Sequence, residues 1–215
     1  MGELYLVRHG QANSGAKTEE DYDRLSPLGH QQAAHLGDWL RSHEAPFDHI
    51  LSGTMRRHIE TATSMGFAPQ TQDARLNEMD YFALARDMEA NQGLPQPTTQ
   101  QDFAAHIPQT LQAWHDAKIT GTEPFAAFET RIQSALRQAA RPGKRLLCIT
   151  SGGVISMAMR HALGLGPVQT AHVLLPIFNS SLHRFRVLPE GIFLSSFNTT
   201  PHLDAPNRTD QKTHL

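Results

Sequence analysis

The sequence predicts an α/β protein with three α/β/α layers: a mostly parallel central sheet with an antiparallel edge strand, and a helical cap insertion. Three observations predict it. Short apolar runs in "ELYLVRHG", "FDHILSG" and "RLLCIT" are too short for helices and read as buried strands. Helical patterns separate them, and strands alternating with helices build layers around a parallel sheet. Near the end, "SSLHRFRVLPEGIFLSSFN" alternates apolar and polar residues around a Pro-Glu-Gly turn, which gives two antiparallel strands.

The elements follow in order. Leu4–Val7 forms the first strand, and residues 11–25 are polar and loop-like. In "SPLGHQQAAHLGDWLRSH" Ser26 is the N-cap and Pro27 the first helical residue, while Ala33, Leu36 and Leu40 recur at helical spacing. Gln32 reads as a helix-surface glutamine. "TMRRHIETATSMG" is a helix closed by Gly66, and "RLNEMD" is a loop or short strand. Residues 80–144 differ in character: Pro/Gln-rich "NQGLPQPTTQQ" is a loop, and helical patterns follow around 101–119 and 123–140. This segment is the expected cap. "RLLCITSGGVISMAMRHALG" is strand, glycine turn and helix. One domain is expected over 1–200, with a polar, frayed tail over 201–215.

Composition excludes several classes. Nineteen basic and 21 acidic residues give a net charge of −2, with no broad basic surface for nucleic acid. No apolar stretch approaches the roughly 18 residues of a membrane span. The start of the chain lacks a basic segment followed by an apolar one, as a signal peptide would need. Cys148 is the single cysteine, so no intramolecular disulfide forms; a cytoplasmic location is expected. Thirteen histidines invite a metal reading, but no H-E-x-x-H occurs and one cysteine excludes Cys-rich zinc sites. No metal or cofactor is expected.

Three strand exits carry groups with chemistry. The first presents Arg8 and His9 before Gly10, where the backbone can turn sharply. The second presents Ser52, then Arg56 and Arg57 in the first turn of a helix. The third presents Ser151, Gly152 and Gly153 at another helix start. Ligands of open α/β sheets bind at the C-terminal strand ends. Guanidinium forks and N–H groups at a helix start suit a phosphate or carboxylate. Each triplet alone reads equally as an ordinary turn; together they place cations, donors and a histidine along one sheet edge.

These residues resemble the motifs of the histidine phosphatase superfamily, the phosphoglycerate-mutase-like proteins. "LYLVRHGQA" is similar to its signature. "YDRLSPLGHQQAAHLGDWL" resembles its first helix, and "SGTMRRHIETA" its second arginine motif. "RLNEMD" resembles its acidic segment, "FAAFETRIQSAL" the helix before its last core strand, and "LLCITSGGVI" its second histidine motif, all in the family's order. The resemblance implies that His9 takes a phosphoryl group and that Glu78 protonates the leaving oxygen. It implies that Arg8 and Arg57 hold the phosphoryl oxygens, with Asn13, Ser151 and Gly152 as further phosphate-binding positions. Glu78, beside Asp80 and Arg75, also reads as a solvated loop carboxylate. Arg57 is preferred to Arg56 by counting back from Thr61; the two point about 100° apart on a helix. Arg56 is left for outer substrate groups or solvent.

Two departures stand out. Ser151 occupies the place of a second histidine, and serine donates a hydrogen bond without charge. His183 is a candidate substitute, and a histidine restored at 151 is expected to raise the rate if its ring has room. Gln11 and Ala12 follow the Arg-His-Gly without the mutases' acidic and Trp-Asn residues. The resulting expectation is a cofactor-independent phosphatase that releases inorganic phosphate from a small phosphorylated substrate. The alternatives are a mutase-type phosphoryl transfer and a catalytically weakened phosphate-ester binding protein. A cysteine phosphatase is excluded, because Val154 stands six residues after Cys148, where that mechanism needs arginine.

Overall fold

The computed structural model describes residues 2–13, 15–16 and 18–214. Among these, six strands form one sheet: β1 (Gly2–Arg8), β2 (His49–Ser52), β3 (Thr71–Gln72), β4 (Arg145–Thr150), β5 (Leu182–Leu188) and β6 (Gly191–Thr199). Their order is β3-β2-β4-β1-β5-β6. The first four run parallel, while β5 is antiparallel to β1 and β6 to β5. This is the expected mostly parallel sheet with an antiparallel edge.

Both faces of the central strands are apolar because both are covered. Tyr5, Val7, Leu147 and Ile149 point to one side, against α2 (Pro27–His43) and α3 (Arg56–Ser64), where Leu36, Leu40, Ala62 and Met65 are buried. Leu4, Leu6, Leu146 and Cys148 point to the other, against α6 (Phe125–Ala139) and α7 (Gly152–Leu163). Cys148 is fully enclosed there, and burial pushes its thiol pKa up to about 12, so it is inert as a nucleophile.

The local signals at α2 hold: Ser26 Oγ accepts from Gly29 N at 3.1 Å and Pro27 is the first helical residue. Gly66 follows α3 with a φ of 73°, the left-handed conformation that favours glycine. Gly10 and Gly29 let β1's exit and α2's first turn touch. A Cβ on Gly10 would lie 2.3 Å from the Gly29 carbonyl oxygen.

Other elements differ from expectation. The polar stretch 11–25 contains a short helix, α1 (Glu19–Tyr22), and an Ala12–Leu25 bridge. A helix absent from the periodicity reading, α4 (Tyr81–Gln92), precedes α5 (Gln100–His115). Of the helices in the expected cap, α6 belongs to the layer under the sheet, because Phe128 and Ile132 share a core with Leu146 and Cys148. A further helix, α8 (Pro167–Leu174), packs on α5 and α7. The tail does not fray. His202 and Leu203 are buried, and Asn179 N donates to the Thr213 carbonyl at 2.7 Å. Gln32 holds the tail from below, donating to Gln211 O at 2.7 Å and Thr213 Oγ1 at 2.9 Å, and accepting from Gln11 N at 2.8 Å. It is fully buried, not a surface glutamine, because those partners lie far from it in sequence. No described helix is long and apolar enough to cross a membrane.

Candidate active site

The C-terminal ends of β1, β2 and β4 lie side by side, with Arg8 paired to Thr150 and Ser52 to Ile149. This register gathers His9, the start of α3 and the start of α7 at one edge.

His9 is buried, with Nδ1 2.7 Å from the Gly10 carbonyl oxygen. A carbonyl only accepts, so Nδ1 carries the proton and Nε2 keeps its lone pair. Burial, with Arg57 and Arg8 nearby, holds the ring's pKa well below the ordinary histidine value, so it is neutral. The backbone behind it is fixed: Ser180 N donates to the His9 carbonyl at 3.1 Å, and Gly10 N donates to Thr61 Oγ1 at 3.1 Å. Thr61 in turn donates to the Arg57 carbonyl at 2.7 Å, so one hydroxyl ties the turn after β1 to the start of α3.

Arg8 is buried and donates through Nη1 to the Ile177 carbonyl. Its Nε has no partner among the described residues. Arg57 is fully buried; Nη1 reaches Glu19 Oε1 at 2.7 Å and Asp23 Oδ1 at 3.2 Å, and its guanidinium lies 5.0 Å from the Tyr22 ring centre. Its Nε and Nη2 have no partner among the described residues. Arg56 turns outward, pairing with Glu60 on its own helix at 2.6 Å with a side chain 65 % exposed. Two buried guanidinium groups thus border a neutral imidazole and keep donors unpartnered among the described residues, while Arg56 lies elsewhere.

Glu78 lies at the start of α7, where Oε2 accepts from Gly153 N at 2.8 Å and Oε1 from Met79 N at 3.0 Å. One of the backbone donors expected to face a phosphate is therefore engaged by this carboxylate. Gly153 must be bare for the approach, since a Cβ there would lie 2.0 Å from Glu78 Oε1. Gly152 lies beside Arg8, with a Cβ position 3.8 Å from its Nε. Asn13 is committed to the α1 loop, donating from Nδ2 to the Asp21 carbonyl at 3.1 Å.

Two expectations for histidine change here. His183 does not substitute for the missing ring: Nε2 is 2.9 Å from Ser181 Oγ, and Nδ1 accepts from Asn198 N at 3.2 Å. Both nitrogens are engaged, so neither faces a phosphate. Ser151 is fully buried with His58 Nε2 2.6 Å from its Oγ, which leaves no room for a second ring at 151.

Residues that the sequence analysis does not single out complete the site. Asp23 accepts from the backbone N–H of Arg56 at 2.9 Å and of Arg57 at 3.1 Å, capping α3 from a distant loop. Glu19 and Tyr22 fix the Arg57 side chain from the same loop. Burial raises the Glu19 pKa above the ordinary carboxylate value despite its contact with Arg57. His58 fills the space between α3 and Ser151. The one available signal was its helical position beside Arg57.

Four of the five buried histidines among the described residues, His9, His58, His183 and His202, are held neutral mainly by desolvation. His183 and His202 are pushed down to about 3. Each binds a proton in the unfolded chain below about pH 6.5, but in the folded protein only at lower pH. Stability from these groups is present above 6.5 and lost as pH falls toward the folded values. His183 and His202 should each cost about 2 kcal/mol between pH 7 and 5, and His9 and His58 act in the same direction. Thermal unfolding is therefore expected to drop steeply over that interval; a melting temperature flat from pH 7 to 5 would contradict the burial of these rings.

The model of the histidine phosphatase superfamily (branch 1) matches residues 4–200. Over 59 residues the chain is 42% identical to the mitochondrial serine/threonine-protein phosphatase PGAM5 of Xenopus tropicalis, a match that spans 27% of this chain and 20% of that protein. A phosphoserine phosphatase variant from Entamoeba histolytica, solved with phosphoserine, superposes with a TM-score of 0.68 at 19% identity, covering 94% of this chain and 100% of that one. The alpha-ribazole phosphatase of Shigella flexneri gives 0.62 at 20% identity, covering 92% and 96%. At these identities the two structures speak for the fold.

Proposed function

The chain belongs to the histidine phosphatase superfamily, and from that premise we propose that it hydrolyses a small phosphate monoester through a phosphohistidine on His9. The observation that carries this is the neutral His9 ring, its Nδ1 engaged by Gly10, beside buried Arg8, whose Nε lacks a partner among the described residues, and buried Arg57, whose Nε and Nη2 lack one. Phosphoryl transfer asks for positioning and charge neutralisation more than for covalent help. His9 Nε2 attacks phosphorus, and the bond to the ester oxygen breaks as that oxygen takes a proton from Glu78. Water then attacks the phosphohistidine, with Glu78 taking its proton back. Inorganic phosphate leaves and His9 returns to its neutral form. The two guanidinium groups, held in place before substrate arrives, stabilise the equatorial oxygens throughout.

The test is phosphate release from a panel of monoesters, with phosphoserine among the first because the Entamoeba relative was solved with it. Release to water supports hydrolysis, whereas phosphoryl retention on a sugar acid would make the chain a mutase. The acid has its own signature. A poor leaving group needs its proton and nitrophenolate does not. Glu78→Gln is expected to slow alkyl phosphates by roughly two decades or more, and 4-nitrophenyl phosphate far less. Equal losses would leave Glu78 as a wall of the pocket.

A further inference from the structure

His58 and Ser151 form a pair that the proposed chemistry has not used. His58 follows Arg57 in the first turn of α3, and its fully buried ring lies 5.9 Å from that of His9, centre to centre. Its Nε2 is 2.6 Å from Ser151 Oγ. Its Nδ1 faces Gly53, where a Cβ would lie 2.2 Å away, so glycine at 53 is what admits the ring. Ser151 is the N-cap of α7, the position from which serine ordinarily caps its own helix, yet its hydroxyl makes no such bond and turns to His58.

Proton placement follows from these contacts. Burial, with Arg57 adjacent, keeps the ring neutral, so it carries one proton. Nδ1 has no partner among the described residues. A buried N–H without an acceptor is the costlier orphan, so the proton belongs on Nε2. Nε2–H then donates to Ser151 Oγ, and the hydroxyl proton must point elsewhere. We propose that His58 is a positioning residue that holds the Ser151 hydroxyl as a donor to the phosphoryl group on His9, so that the pair does from two elements what one histidine at 151 would do. The inference rests on the His9 reading above. On this reading a serine at 151 is compatible with turnover.

Turnover of 4-nitrophenyl phosphate and binding of inorganic phosphate test it. Ser151→Ala and His58→Ala are each expected to lower kcat about 10- to 100-fold, the scale of one neutral donor, with KM and phosphate affinity within about threefold. The double alanine variant should be no slower than either single one, because both interrupt one chain of hydrogen bonds. His58→Ala/Ser151→His, in which the new ring takes the emptied space, should regain at least about tenfold over His58→Ala. Ser151→His alone should stay slow, with two rings competing for one place. Ser151→Ala removes a single oxygen and keeps the test decisive if emptying position 58 unfolds the chain. Unchanged kcat in Ser151→Ala, or losses that multiply in the double variant, would overturn the inference while an inactive His9→Ala leaves the phosphatase reading standing. Full turnover by His9→Ala would remove both.

Discussion

His9→Ala should abolish turnover, with a loss on the order of 10⁴–10⁶ in kcat, the range seen when a nucleophile is removed from a site whose other groups remain. β1 ends at Arg8, and the next side chain enters a dry edge where Gly10 accepts the Nδ1 proton. That bond fixes the tautomer, so Nε2 is basic and unprotonated without a separate general base. Burial and two guanidinium groups keep it so well below pH 6.5. The acid limb of kcat/KM should therefore fall below the ordinary histidine pKa, since protonation of free His9 is what removes the nucleophile. A phosphorus–nitrogen bond is acid-labile and alkali-stable. Rapid quench in base followed by mass spectrometry should find one phosphoryl group on His9 of the native chain and none in the variant. Label that persists in His9→Ala, or an acid limb above pH 6.5, would remove His9 from the centre of the mechanism.

What the sequence made legible was local. The apolar runs, the Ser26–Pro27 start of α2, the Gly66 stop of α3 and the Pro-Glu-Gly hairpin are each decided within a few residues. Arg8, His9 and Ser151 stand out in the sequence because strand ends in a parallel sheet meet at one edge. The residues that were not found owe their roles to distant partners. Glu19, Tyr22 and Asp23 lie in a polar stretch with no periodicity, and only the fold brings them onto Arg57, more than 30 residues away. Gln32 reads as a surface residue until the tail closes over it. His58 sits beside a recognisable arginine, but its contact with Ser151 spans 93 residues. His183 was a fair candidate by type alone; its hydrogen bonds to Ser181 and Asn198 could not be read from its neighbours in sequence.

Arg57→Ala is expected to lower kcat/KM by about two to three decades, and Arg56→Ala by less than about threefold. Adjacent residues on a helix point about 100° apart, so a ligand at the sheet edge can be faced by one of them only. Thr61 selects which. Its hydroxyl bonds the Gly10 N–H and the Arg57 carbonyl, and this fixes the phase of α3 against the turn that carries His9. Arg57 then points inward, where Glu19 and Asp23 hold one nitrogen and leave Nε and Nη2 for an anion. Arg56 lies on the outer face with Glu60, in solvent that screens it. The alanine variant also strands Glu19 and Asp23 near each other without their cation, so its melting temperature must be measured beside its rate. Arg57→Lys separates the effects: it keeps the charge but cannot make the fork, so stability should recover more than kcat. A second readout is independent of both. Arg57 is the leading nearby charge that depresses the His9 pKa. Its removal favours protonated His9, so the acid limb of Arg57→Ala should move to higher pH, whereas that of Arg56→Ala should stay in place. Equal rate losses in the two alanine variants, or an unmoved acid limb in a folded Arg57→Ala, would mean that the guanidinium braces the α1 loop and leaves the phosphoryl group to Arg8.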